Sequence, residues 1–183
     1  MSQTVAKKKA PGTMQLVIVL FAISAITALL LGLANMVTAP AIAANEKAKK
    51  DAAMAAVLPA GSYQQVDYTG SDVTISGIYK ADDAGYVVEV NCGGSFSGTL
   101  TIMVGVTADG SCSGVEIIKT AETSGLGANA SKEDWRAQFV GKSGTVAVTK
   151  DGGEINALTG ATITSRAVSN GVNSAIAAAA SMG

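Results

Sequence analysis

Residues 14–37 read MQLVIVLFAISAITALLLGLANMV. Gln15, Ser24, Thr27 and Asn35 are the clearly polar members of this run, and no charged residue falls between Lys9 and Glu46. As a helix these residues would reach about 36 Å, enough to cross a hydrocarbon core of about 30 Å. An uncharged helix of that length is unusual in a soluble core. The run therefore predicts a transmembrane helix and divides the chain into a short leader, one span and one substantial domain.

The flanks of the span differ in charge. Lys7, Lys8 and Lys9 stand before it without an acid, whereas residues 38–183 carry an excess of Asp and Glu. A lysine cluster on the N-terminal side orients that end to the cytoplasm and puts the domain on the other side of the membrane. Secretory signal peptides have apolar cores of about 7–15 residues. This run is longer, so an uncleaved anchor is expected even though Ala41-Ile42-Ala43 imitates a cleavage site.

With 183 residues, the chain has room for one domain with a real core beyond the anchor. Histidine is absent. That excludes His-ligated haem, His-containing zinc sites and Ser/His/Asp or Cys/His catalysis. Two cysteines, Cys92 and Cys112, make neither a four-thiolate cluster nor a CxxC pair. A net charge of −1 offers nothing to nucleic acid. Aromatics make up only 4%, so the core is expected to be aliphatic.

After the span, Pro40–Val57 reads as an Ala-rich helix with Ile42, Ala53, Ala56 and Val57 on an apolar face. Its charged face holds Glu46, Lys47, Lys49, Lys50 and Asp51, and Pro59 and Gly61 end it. Short β-branched runs follow at 73–79, 86–90, 99–107 and 114–119, separated by Gly, Asp and Ser. Ala108-Asp109-Gly110-Ser111 suits a hairpin turn. SKEDWRAQFVGK (131–142) predicts a helix carrying Trp135 and Phe139 on one face, 144–149 a further strand, and 165–181 a C-terminal helix. Helices and strands mix without βαβ alternation, so the expected class is α+β. The expected architecture is a single N-terminal transmembrane helix followed by a compact extracytoplasmic domain with an antiparallel sheet and flanking helices. The boundaries are 1–13 for a cytoplasmic N-terminus, 14–37 for the span, 38–61 for a juxtamembrane helical stalk and 62–183 for the domain. A meander through 86–119 would hold Cys92 and Cys112 at opposite ends of its middle strand, roughly 25–30 Å apart. Two unpaired thiols are expected.

The chemistry-bearing segment is NALTGATITS (156–165), just before the last helix. Thr159, Thr162, Thr164 and Ser165 surround Gly160 at a helix N-terminus, where free N–H groups and the helix dipole favour an anionic phosphate. On spacing alone, an ordinary Ser/Thr cap remains an equal alternative.

TGAT followed by Ile-Thr-Ser and a helix resembles the modification motif of the FMN-binding domain family. Within it the chain is most similar to the G subunit of the Rnf ion-translocating electron-transport complexes, which is related to the C subunit of the Na⁺-translocating NADH:quinone oxidoreductase. Beyond the motif, the resemblance rests on the single span, the segment 37–42, Val57-Leu58-Pro59, the loop TAETSGLG (120–127), and Trp135, Gln138, Phe139, Gly141 and Lys142. Asn156 departs from the Asp that more often begins the motif.

The resemblance implies FMN esterified through its phosphate to Thr162, with Thr159, Gly160, Ala161, Thr164 and Ser165 beside it. It also brings Glu122, Thr123, Gly125, Leu126 and Gly127 to the flavin as a second loop, with no catalytic or metal-ligating residue of the chain's own. A threonine hydroxyl is a weak nucleophile. The implied partners are therefore a flavin transferase using FAD and Mg²⁺, which matures the chain, and the other membrane subunits of an Rnf-type complex. Single-electron relay within a complex coupling ferredoxin oxidation and NAD⁺ reduction to Na⁺ or H⁺ transport is the implied function, with no complete turnover by this chain alone. Two alternatives belong to other classes. One is a pilin-like structural protein, against which Val17 stands where a glutamate is normally found. The other is a membrane-anchored binding module without flavin, in which TGAT is only a cap.

Overall fold

The computed structural model describes residues 12–182. The Lys7–Lys9 cluster, on which the expected orientation rests, lies outside them. Helix α1 runs from Thr13 to Val57 and continues through Pro40. It is the one helix among the described residues long and apolar enough to cross a membrane. From Met14 to Val37 its large apolar side chains are exposed, as a lipid-facing segment requires. The chain divides into two units, residues 1–46 and 47–183.

In the second unit five strands form one antiparallel sheet in sequence order: β1 (Gln64–Val66), β2 (Ile75–Ala81), β3 (Gly85–Asn91), β4 (Leu100–Thr107) and β5 (Cys112–Thr120). Four short elements follow: a 3-10 turn at Gly127–Ser131, helix α2 at Glu133–Arg136, and 3-10 turns at Ala137–Phe139 and Thr149–Asp151. Helix α3 closes the fold at Thr162–Ala180. The α+β class and the antiparallel sheet expected from the strand runs are what the structure shows.

Alternation along the strands sorts side chains onto two faces. Ile78, Val88, Val90, Ile102, Val104 and Val106 pack with Val168, Val172 and Ala175 of α3. Val87 and Met103 point the other way, onto Ala53, Met54 and Val57 at the end of α1. Strand β4 is thus buried on both faces from Leu100 to Val106. Two paired glycines, Gly105 and Gly114, let Val57 approach the sheet closely. The Ser113 hydroxyl donates to the Val57 carbonyl at 2.5 Å. Burial in this segment falls on Ala53, Met54 and Val57, whereas Ile42 and Ala56, expected on the apolar face, are exposed.

Two expected elements take another form. Residues 131–142 are not one helix but α2 followed by a 3-10 turn at Ala137–Phe139. Lys132 occupies the cap position, and Ser131 makes no capping bond. The breaks carry both Trp135 and Phe139 into the core, edge to face at 5.3 Å. Residues 144–149 join no sheet: Gly144 takes φ +69° and Thr149 already opens a 3-10 turn at Thr149–Asp151. Asn173 of α3 replaces a neighbouring strand for them, accepting from Val146 N at 2.7 Å and donating to Val146 O at 2.9 Å. Beyond that, a single bridge joins Val148 to Ile155. Cys92 and Cys112 are free and buried.

Candidate functional site

The loop 120–127 leaves the end of β5, and the segment 156–161 leads into α3. Between them lies a cleft of about 350 Å³ lined by Phe96, Glu122, Thr123, Leu126, Gly127, Lys150, Gly160, Ala161, Thr162, Ile163 and Thr164. Its floor is polar and its rim apolar: Phe96, Leu126 and Ile163 are all exposed.

Glu122 organises the floor. It is buried, and its carboxylate accepts from the Ser97 amide (3.0 Å), the Ser97 hydroxyl (2.9 Å) and the Thr164 hydroxyl (2.7 Å). Burial alone would raise its pKa, but these donors outweigh that and hold it below the ordinary glutamate value, so the group stays ionised. Gly127 is required at this point. A Cβ there would run into the Glu122 carboxylate and stand 2.7 Å from Thr164 Oγ1.

The four hydroxyls of the motif divide by environment. Ser165 is fully buried, accepting from Leu158 N and donating to Ala161 O, each at 3.0 Å. Thr164 is buried and committed to Glu122. Thr159 is exposed and outside the cleft. Thr162, the first residue of α3, is half-buried and faces the cleft, with Lys150 Nζ 3.4 Å from its Oγ1. Ala161 stands at the cap position, and no side chain caps the helix. The first-turn N–H groups are therefore left to a ligand or to water. Gly160 takes φ +74°, which turns the chain into the helix, and a Cβ there would press on Leu126 at 3.0 Å.

The structure thus brings Glu122, Thr123, Leu126, Gly127, Gly160, Ala161, Thr162 and Thr164 into one cleft. It leaves Thr159, Gly125 and Ser165 outside its lining. Gly125 (φ +78°) shapes the loop, and its carbonyl accepts from Asn129 Nδ2 at 2.8 Å. Asn156 anchors the entering segment through its backbone: its N–H donates to Gln138 Oε1 and its carbonyl accepts from Trp135 Nε1, both at 2.8 Å. Phe96, Lys150 and Ile163 join the cleft without being expected there from sequence. Ile163 lies inside the motif, which is signal enough to have placed it. Phe96 and Lys150 sit in turns with no local pattern tying them to residue 162.

The donor set suits an FMN phosphate: an uncapped helix start, an ammonium group, and a hydroxyl at the junction of the two. The exposed Phe96, Leu126 and Ile163 are suited to an aromatic ring, and the glycines leave close backbone approach. The class of protein this defines is a membrane-anchored chain with an FMN-binding domain, and residues 95–177 match the family of that description, FMN-binding domain. The chain is 35% identical over 182 residues to the G subunit of the Na⁺-translocating ferredoxin:NAD⁺ oxidoreductase complex of Acetobacterium woodii, covering 87% of each chain. It is 33% identical over 175 residues to the G subunit of the ion-translocating oxidoreductase complex of Methanosarcina acetivorans, covering 88% of this chain and 92% of that one. It is also 44% identical over 95 residues to the G subunit of the proton-translocating ferredoxin:NAD⁺ oxidoreductase complex of Clostridium ljungdahlii, covering 50% of this chain and 51% of that one. The chain belongs to the G-subunit family of the Rnf ion-translocating oxidoreductase complexes, as a single-pass membrane protein.

Proposed function

We propose that this chain is the electron-transfer subunit of an Rnf-type complex, holding FMN through a phosphoester on Thr162 and relaying single electrons between membrane partners. The complex would couple ferredoxin oxidation and NAD⁺ reduction to ion transport. Its relatives bear names specifying either Na⁺ or protons. The leader 1–13 would lie in the cytoplasm, the span at 14–37, the stalk at 38–61 and the domain 62–183 across the membrane. FMN, when bound, supplies reversible one- and two-electron chemistry at its ring.

The observation that carries the choice of residue is the division among the hydroxyls. Thr164 and Ser165 are buried and hydrogen-bonded, whereas Thr162 meets the cleft at an uncapped helix start. Ester formation at Thr162 would leave the core bonds of α3 intact. The same reaction at Thr164 would break the Glu122 bond and force a phosphate into the buried floor. Leu126 and Phe96 would cover part of the ring and leave the rest open toward a redox partner. Lacking a histidine to take up the threonine proton, the chain depends on a transferase for that step.

The test is the intact mass of the protein purified from its own membranes, with peptide mapping around residue 162. A gain of one FMN less one water, lost in Thr162→Ala and retained in Thr164→Val, supports the reading. An unmodified chain from membranes with active electron transport overturns it and leaves the binding module without flavin.

A further inference from the structure

We infer that Lys150 is the phosphate-positioning residue of this site: it places its ammonium beside Thr162 so that the FMN phosphodiester is clasped between that charge and the first turn of α3. The inference rests on the Thr162 reading above and adds a residue that neither the motif nor the second loop contains.

The geometry begins with the turn at Thr149–Asp151. Its backbone is tied on one side to the following segment, Thr149 N donating to Ile155 O at 2.9 Å and Gly153 N to Val148 O at 3.1 Å. Its other side is tied to α3. Asp151 accepts two bonds from Arg166, from Nε and from Nη2, each at 2.6 Å. The Arg166 guanidinium also holds the Asp151 carboxyl below its ordinary value, so the pair stays charged. Arg166 lies on the helix that begins at Thr162. The residue between these ties is Lys150, whose Nζ reaches Thr162 Oγ1 at 3.4 Å.

Charge favours the assignment. Asp151, the acid adjoining Lys150 in the turn, is engaged by Arg166, and Glu122, the acid in the cleft, is satisfied by Ser97 and Thr164. Lys150 adds to the field that keeps Asp151 ionised, and its Nζ approaches Thr162, the first-turn hydroxyl of α3 that is not buried. A threonine–FMN phosphodiester carries one negative charge, and one ammonium with the positive helix end matches it. The step it assists is balanced. Thr162 Oγ bonds to the FMN-side phosphorus of FAD, the pyrophosphate P–O bond breaks, AMP leaves, and the hydroxyl proton is released to the transferase. No oxidant or reductant is needed. Lys150 would hold the non-bridging phosphate oxygens before and after.

The test uses the full-length chain in detergent without phospholipid, loaded by flavin transferase, FAD and Mg²⁺, with covalent uptake followed by intact mass. Lys150→Met is expected to slow loading about tenfold or more, and Lys150→Arg, which keeps the charge, to restore most of the rate. Thermal unfolding checks that each variant is folded. Lys150→Gln serves if the Met variant is not. The second readout is the ³¹P resonance of the loaded chain. It should move in Lys150→Met and stay near the wild-type position in Lys150→Arg. A folded Lys150→Met chain that takes up no FMN is the extreme of the expected loss. Equal loading rates with coincident ³¹P resonances overturn the role of Lys150 while leaving Thr162 in place. A wild-type chain that never loads on Thr162 overturns the underlying reading instead.

Discussion

Thr164 donates its hydroxyl to Glu122 Oε2 at 2.7 Å, joining residues 42 apart in sequence and tying the start of α3 to the loop after β5. The two segments that form the cleft are thus fixed to each other by a buried, charge-assisted bond. Removing one partner leaves the other unsatisfied, at a cost of about 1–3 kcal/mol. Glu122→Gln and Thr164→Val should each destabilise the domain by about that much, and the double variant by less than the sum. Because the Glu122 pKa is lowered below the usual 4.5, the wild-type advantage is fully present at neutral pH. It is lost as pH falls below that value through the folded pKa. Thermal unfolding of wild type and Glu122→Gln between pH 7 and 3 should show the gap closing in acid; a gap that widens would contradict the assignment.

Gly127 and Gly125 separate a steric requirement from a conformational one. A Cβ on Gly127 meets the pinned Glu122 carboxylate and the Thr164 hydroxyl, whereas one on Gly125 meets open space at φ +78°. Gly127→Ala should cost about 1–3 kcal/mol by overpacking and disturb the start of α3. Gly125→Ala should cost about 1–2 kcal/mol through its backbone alone. Denaturant unfolding should therefore register both changes. Covalent flavin uptake, measured by in-gel fluorescence, should fall sharply only in Gly127→Ala.

Four of the five strands were legible as short β-branched runs, and α3 because Val168, Val172 and Ile176 keep helical spacing; β1, only Gln64–Val66, carries no such run and was not legible. The break in 131–142 was not legible either. Trp135 and Phe139 fit a helical face equally well, and what divides them into α2 and a 3-10 turn is the core they enter. Nor was the fate of 144–149, since the partner supplying its hydrogen bonds is the side chain of Asn173 on a later helix. For the cleft, the two glycine-bearing loops could be read from their motifs. Lys150 and Phe96 could not, because the turn and loop that carry them read as ordinary connections until folding brings them beside Thr162.

The end of α1 is locked onto the sheet through Val57. Gly105 leaves no room for a Cβ beneath the Val57 carbonyl, and Ser113 Oγ donates to that same carbonyl. Ser113→Ala should cost one hydrogen bond, about 0.5–1.5 kcal/mol. Gly105→Ala should cost more, because the obstruction is backbone. Amide hydrogen exchange should speed up in residues 53–57 for Gly105→Ala, with smaller changes in α3 on the opposite face of the sheet. Uniform acceleration throughout the domain would mean that this contact is not a local lock.

Cys92 and Cys112 form no disulfide because β4 lies between them. Cys92 N donates to Leu100 O at one end of that strand, and Cys112 pairs with Val106 at the other, about 20 Å apart at the usual strand rise. Burial raises the Cys92 thiol to about 12 and the Cys112 thiol to about 11, from an ordinary value of 9.0. The thiolate is the reactive form. At pH 8 the native thiols should alkylate roughly two to three orders of magnitude more slowly than in denaturant, where an ordinary cysteine pKa returns. The same shifts set a sign for stability. Between pH 9 and 11 the unfolded chain releases thiol protons that the folded chain retains, so their contribution is complete below 9 and declines as pH rises toward the folded values. Denaturant unfolding of wild type against a Cys92→Ser, Cys112→Ser variant at pH 8 and pH 10 should show wild type losing more stability in alkali. Equal losses would mean that the thiols ionise as readily inside the fold as outside it.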